Sequence, residues 1–167
     1  MNDKLVTAQR RYLPASENCF ACGRRHPRGL RLRFFTYGNG IVWVEFTPED
    51  SLTGYEEIVH GGVIATMFDE LLGWSVSLKT NQLFVTGELT VRYLRPVLSQ
   101  RTYLGSAQPI EDRKRFWIAE GELKDEDDIV YARASGKYFS VGEEKTREFA
   151  AKLIYQAGDV PIFLDCD

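Results

Sequence analysis

Histidine and methionine occur only twice each in this 167-residue chain, and cysteine three times. The cysteines, Cys19, Cys22 and Cys166, are odd in number and follow no secretory signal, which argues against a disulfide framework. The opening MNDKLVTAQRRYLPASEN is polar and lacks the apolar run of a signal peptide. No stretch approaches the roughly 18 uninterrupted apolar residues of a membrane span. A cytoplasmic protein with no membrane span is therefore expected. Excess charge is also missing: 21 basic against 24 acidic side chains leave a net charge of −3, with no basic field to attract nucleic acid. The local clusters Arg24-Arg25 and Arg113-Lys114-Arg115 read as solvated turns. No G-x-S-x-G occurs, and neither Ser51 nor Ser75 has the surroundings of a nucleophile. A closed zinc site needs four ligands. Beyond Cys19, Cys22 and His26 only Cys166 and His60 remain as soft donors, so neither a metal nor another cofactor is expected.

What is present is an apolar fraction of 44%, ample for one packed core. Arg31–Tyr37 and Ile41–Thr47 are rich in β-branched and aromatic residues. Gly38-Asn39-Gly40 between them marks a hairpin. After the polar loop 48–57, the segment from Gly62 to Leu78 reads as a helix that is apolar around most of its circumference, hence buried. From Val85 to Leu94 the residues alternate: Val85, Gly87, Leu89, Val91 and Tyr93 face one way, Thr86, Glu88, Thr90 and Arg92 the other. Period two predicts a half-buried antiparallel strand, and Pro96 ends the regular pattern or forces an edge. Further strands are expected at Thr102–Pro109, Arg115–Leu123 and Ile129–Val141. A helix is expected over Glu143–Gln156, with acids in its first turn and Phe149, Leu153 and Ile154 on one side. Three parts follow: an extension with a C-x-x-C-G leader (1–30), a central domain (31–142), and a terminal helix and tail (143–167). One helix among antiparallel strands makes the class α+β.

The central helix carries an anomaly. At about 100° per residue, Gly62, Thr66, Asp69 and Gly73 share one narrow stripe of small or polar residues. Glycine within a helix is unfavourable by roughly 1 kcal/mol relative to alanine, so something should approach the stripe closely. Asp69 sits in its middle, too far from the helix start to gain much from the dipole. His60-Gly61-Gly62 leads into the first turn, whose backbone N–H groups suit an oxyanion. The same residues also fit a tight loop followed by a solvated or paired acid.

His60-Gly61-Gly62, six residues, then Asp69 resembles the motif of hotdog-fold acyl-CoA thioesterases of the phenylacetate-pathway type. TGELTVRYLRPV (Thr86–Val97) resembles the strand after the helix in that family. CFACGRRHPRGLRLRF (Cys19–Phe34) resembles the leader of a subgroup. The resemblance implies a hotdog fold, a long central helix wrapped by a curved antiparallel sheet of five to six strands. It implies a homodimer, or a homotetramer built from it, with active sites at the subunit interface. Activity would be hydrolysis of an acyl-CoA thioester. Asp69 would act as base or nucleophile, the Gly61 N–H would polarise the carbonyl, and Thr86 would hold water or the carboxylate. His60 completes the catalytic set, with a structural part in fixing the loop preferred over a base. Gly62, Thr66, Glu70 and Arg95 are assigned to substrate, with either Arg95 or Arg92 to meet the CoA phosphates. The chain departs from many relatives at Gly54, where they carry an Asn that orients water; Glu56 or Glu57 would have to replace it. The alternative is a hotdog module that binds acyl-CoA as a sensor without turning it over.

Overall fold

The structure is a computed structural model and describes residues 9–163; Cys166 lies outside them. In chain order the elements are β1 (Arg11–Tyr12), β2 (Ala15–Ser16), β3 (Phe34–Thr36), β4 (Val42–Phe46), β5 (Thr53–Tyr55), β6 (Ile58–Val59) and α1 (Gly61–Thr80). They continue with β7 (Phe84–Tyr93), β8 (Tyr103–Asp112), β9 (Trp117–Lys124), β10 (Val130–Ser140), α2 (Glu143–Ala150) and β11 (Leu153–Ile154). Seven strands form one sheet in the order β1-β3-β4-β8-β9-β10-β7, every neighbour antiparallel. α1 packs against β4, β7, β8, β9 and β10. This is the hotdog arrangement, with β1 added as a short seventh strand.

α1 is buried because its sequence leaves it almost no polar face. Met67, Phe68, Leu71, Leu72 and Val76 are fully covered; each such side chain contributes roughly 1.5–3 kcal/mol through removal from water. The helix starts one residue before the expected Gly62, because His60 caps it: the imidazole Nδ1 accepts the N–H of Gly62 at 2.9 Å. It runs past Leu78 to Thr80 and stops at Asn81, whose φ of 55° turns the chain left-handed while its N–H reaches Ser77 O at 2.9 Å.

Gly38 and Gly40, with φ of 81° and 79°, close the β3–β4 hairpin, registered as Phe34 opposite Val44. The leader and the tail reach the same core, through Leu13, Ala21, Cys22 and Leu32 on one side and Ile162 and Phe163 on the other.

Two expectations change. The helix expected over Glu143–Gln156 ends at Ala150, and a turn closed by Lys152 N–H to Phe149 O precedes β11. Leu153 and Ile154 then pair with Ser16 and Ala15 of β2 instead of lining a helix face. The strand read from Val85 onward is present as β7 but ends the sheet. Val85 and Tyr93 stay 55% and 49% exposed, and only Phe84, Leu89 and Val91 are half-buried. An edge strand has a neighbour on one side only, so alternation there does not guarantee a covered face. Among the described residues no helix is long and apolar enough to cross a membrane.

Candidate active site at the start of the central helix and the sheet edge

The stripe on α1 faces β7 and β10. Thr86 Oγ1 of β7 donates to Asp69 Oδ1 at 2.6 Å. Tyr138 of β10 lies under the same turn: its hydroxyl donates to the backbone oxygen of Asp69 at 3.3 Å, and a Cβ at Gly73 would sit 3.5 Å from its ring. Burial, and then the nearby Asp69 charge, push the Tyr138 phenol well above its ordinary value. The close approach demanded by a glycine within the helix is thus made by Tyr138.

Thr86 reaches Asp69 because β7 contains a bulge. Glu88 pairs with Lys137, but Thr86 pairs with Tyr138, leaving Gly87 as an extra residue. Strict alternation would put Thr86 on the outer face with Glu88, whose carboxylate binds Lys137 Nζ there at 2.6 Å. The extra residue changes the phase, so Thr86 turns inward with Leu89 and Val91. Glycine leaves room at this point for the Phe139 ring, which a Cβ on Gly87 would displace. A glycine inside an alternating strand is the sequence signal of a bulge, and with it the inward turn of Thr86 could have been found.

The other half of the arrangement lies at the start of α1. His60 takes up the N–H of Gly62, and Thr66 returns its hydroxyl to Gly62 O at 2.9 Å. The N–H of Gly61, in the first turn, has no acceptor within the helix. Tyr93, which sequence reasoning passed over as a strand residue, donates to Gly61 O at 2.8 Å, and its ring would be 3.3 Å from a Cβ at that glycine. Burial raises the Tyr93 phenol. A cleft of about 480 Å³ opens here, lined by Tyr55, His60, Gly61, Ile64, Tyr93 and Arg95 among others. The Arg95 guanidinium is anchored at the cleft by Val130 O at 2.6 Å.

The sequence-derived residues therefore fall into separate groups. Asp69 and Thr86 meet; His60, Gly61, Gly62, Thr66 and Arg95 gather around the helix start. Asp69 lies eight steps along the helix from Gly61, about 12 Å at 1.5 Å per residue. Glu70 joins neither group. It points toward the leader, where Oε1 accepts Trp74 Nε1–H at 3.0 Å and Oε2 shares a hydrogen bond with Cys19 Sγ at 3.5 Å. Burial pushes its carboxyl up to about 7. The Cys19 thiol is drawn down to about 5, first by the hydrogen bond from Cys22, while that bond and burial push Cys22 up. Glu56 and Glu57 line a different hollow with Asp50, Ser99 and Arg101. Gly54 lies against His60, and a Cβ there would come within 3.1 Å of the imidazole. A larger residue at this place would press on the helix cap.

Comparison with known proteins agrees with the fold. Residues 56–132, which span α1 and the adjoining strands, match the model of the thioesterase superfamily. An uncharacterized protein of Schizosaccharomyces pombe is 38% identical over 106 residues, covering 59% of each chain. The chain thus spans about six tenths of that relative's length. Among solved structures, a thioesterase superfamily protein superposes with a TM-score of 0.69 at 20% identity, covering 74% of this chain and 60% of its own. A Streptococcus mutans protein bound to acetyl CoA superposes with a TM-score of 0.61 at 23% identity, covering 66% and 89%. The chain has the hotdog fold, and its residues 56–132 resemble the thioesterase superfamily.

Proposed function

We propose that the protein hydrolyses an acyl-CoA thioester at a site completed by a second copy of the chain, with Asp69 as the catalytic carboxylate. The observation that carries this reading is the Thr86–Asp69 hydrogen bond on an open sheet edge. A carboxylate fixed by a hydroxyl, beside an accessible surface, is poised to work on a reacting group.

Distance argues for two protomers. One thioester carbonyl cannot touch both the Gly61 N–H and an acid about 12 Å further along the same helix. If the exposed edges of two β7 strands pair, each helix start is brought toward the partner's acid. A ten-residue edge with Val85 and Tyr93 exposed suits such pairing. The Gly61 N–H and the positive end of α1 then stabilise the oxyanion, an effect worth roughly 10²–10³-fold per donor. Arg95, at the mouth of the cleft, faces the CoA phosphates. Asp69 takes a proton from water as it attacks the carbonyl carbon; the C–S bond breaks and the thiolate leaves as thiol. If Asp69 attacks directly, an acyl-enzyme anhydride forms and water cleaves it. His60 serves as the cap that shapes the Gly61 turn.

The test is release of free thiol from a panel of acyl-CoAs, acetyl to palmitoyl with phenylacetyl and benzoyl, beside the Asp69→Asn variant. Turnover of some member, lowered about a hundredfold or more in the variant, supports the proposal. Turnover that survives the substitution moves the chemistry elsewhere. Binding without turnover across the panel would replace it with an acyl-CoA sensor. Sedimentation of the protein at several concentrations reads the dimer directly.

A further inference from the structure

We propose that Cys19, Cys22 and Glu70 form a zinc site that fastens the leader to the central helix. Their three ligand atoms all lie within 4.8 Å of one another. A tetrahedral ion with Zn–S near 2.3 Å and Zn–O of about 2.0–2.2 Å holds sulfur and oxygen about 3.5 Å apart, and Cys19 Sγ stands 3.5 Å from Glu70 Oε2. Little movement would seat the metal.

The leader is folded as a ligand turn. Cys19 Sγ accepts the N–H groups of Ala21 at 3.3 Å and of Cys22 at 3.4 Å, which orient the sulfur and support negative charge on it. Gly23 N–H closes the turn on Cys19 O at 2.8 Å. Only glycine fits there, since a Cβ would lie 2.4 Å from the same oxygen. The C-x-x-C-G spacing thus has a geometric reason. Cys22 is 2% exposed, and the Glu70 carboxyl is held between Cys19 and Trp74. Among the described residues Glu70 takes part in none of the ion pairs. A carboxylate set against two thiols with no cation beside it is a place where a bound cation would be stabilised, since ionised groups away from water are normally paired or coordinated. Two thiolates with one carboxylate select zinc over the oxygen-loving magnesium and calcium. Water takes the fourth position. The sequence hid the site because Glu70, three turns into a helix, has no spacing relation to the cysteines.

The experiment is metal analysis of the full chain purified under reducing, anaerobic conditions, followed by chelator stripping and titration with zinc and, separately, cobalt(II). The expected result is one metal per chain. Cobalt should give the intense sulfur-to-metal charge-transfer absorption of a tetrahedral thiolate site on the unmodified protein. Stoichiometric binding should be lost in Cys19→Ser and in Cys22→Ser and weakened in Glu70→Gln, which keeps the side chain's shape. Asp69→Asn should retain the metal, which separates this result from the hydrolase reading. Failure of the reduced wild-type protein to take up either metal overturns the proposal. So does cobalt uptake without charge-transfer absorption, or uptake that survives all three ligand replacements.

Discussion

Asp69 and Glu70 are neighbours in sequence and opposites in circumstance. About 100° of helix rotation sends one to the open edge, where Thr86 holds it beside β7, and the other under the leader, where Cys19 and Trp74 enclose it. The first is held by a single hydroxyl and the second by a thiol and an indole, and both are half-buried. The proposals above give the first to turnover and the second to fastening the leader, so carboxylates of equal chemistry would divide by their surroundings alone.

The sharpest way to break this comparison is Asp69→Asn. It should lower thioester turnover by about a hundredfold or more while thermal unfolding, followed by circular dichroism, hardly moves. A large drop in melting temperature instead would make Asp69 a structural residue like its neighbour. Next comes Gly87→Val, which forces a side chain into the Phe139 ring. Overpacking of this kind costs typically 1–3 kcal/mol, and turnover should fall as well because Thr86 loses its aim. Replacing Phe139 by alanine in the same protein should return stability more fully than activity. On the Glu70 side, Trp74→Phe removes the indole N–H bound at 3.0 Å. Leaving that carboxylate short of a partner should cost about 1–3 kcal/mol in urea unfolding, with kcat for the best thioester unchanged. The smallest effect is expected from His60→Ala, which deletes the helix cap and should cost about 1 kcal/mol. A collapse of turnover without loss of stability would instead promote His60 to the reacting groups.

The sequence conveyed the architecture well where one physical signal dominated. α1 was legible because an apolar surface on all sides of a helix admits only burial. The β3–β4 hairpin was legible because its two glycines supply positive φ. The strands β8 to β10 followed from composition and turns. β11 was not legible: Leu153 and Ile154 continue a helical pattern, and only a partner from the distant leader makes them a strand. At the site, Asp69 stood out as a polar residue in an apolar helix, and the family resemblance added Thr86. Tyr93 and Tyr138 were passed over, because a tyrosine in a strand looks the same whether or not its hydroxyl meets a helix backbone. Glu70 was expected among substrate contacts, and the structure joins its carboxylate to Cys19 and Trp74: adjacency in sequence to Asp69 says nothing about direction.

The extra residue in β7 sets the phase of the strand beyond it. Were the bulge drawn straight with Gly87 kept in the ladder, Thr86 would fall on the same face as Glu88 and away from Asp69, although every strand would still find its neighbour. Such a regularised chain would keep the topology while its acid stood alone. A one-residue slip, invisible in the order of the strands, therefore decides whether the hydroxyl and the carboxylate meet.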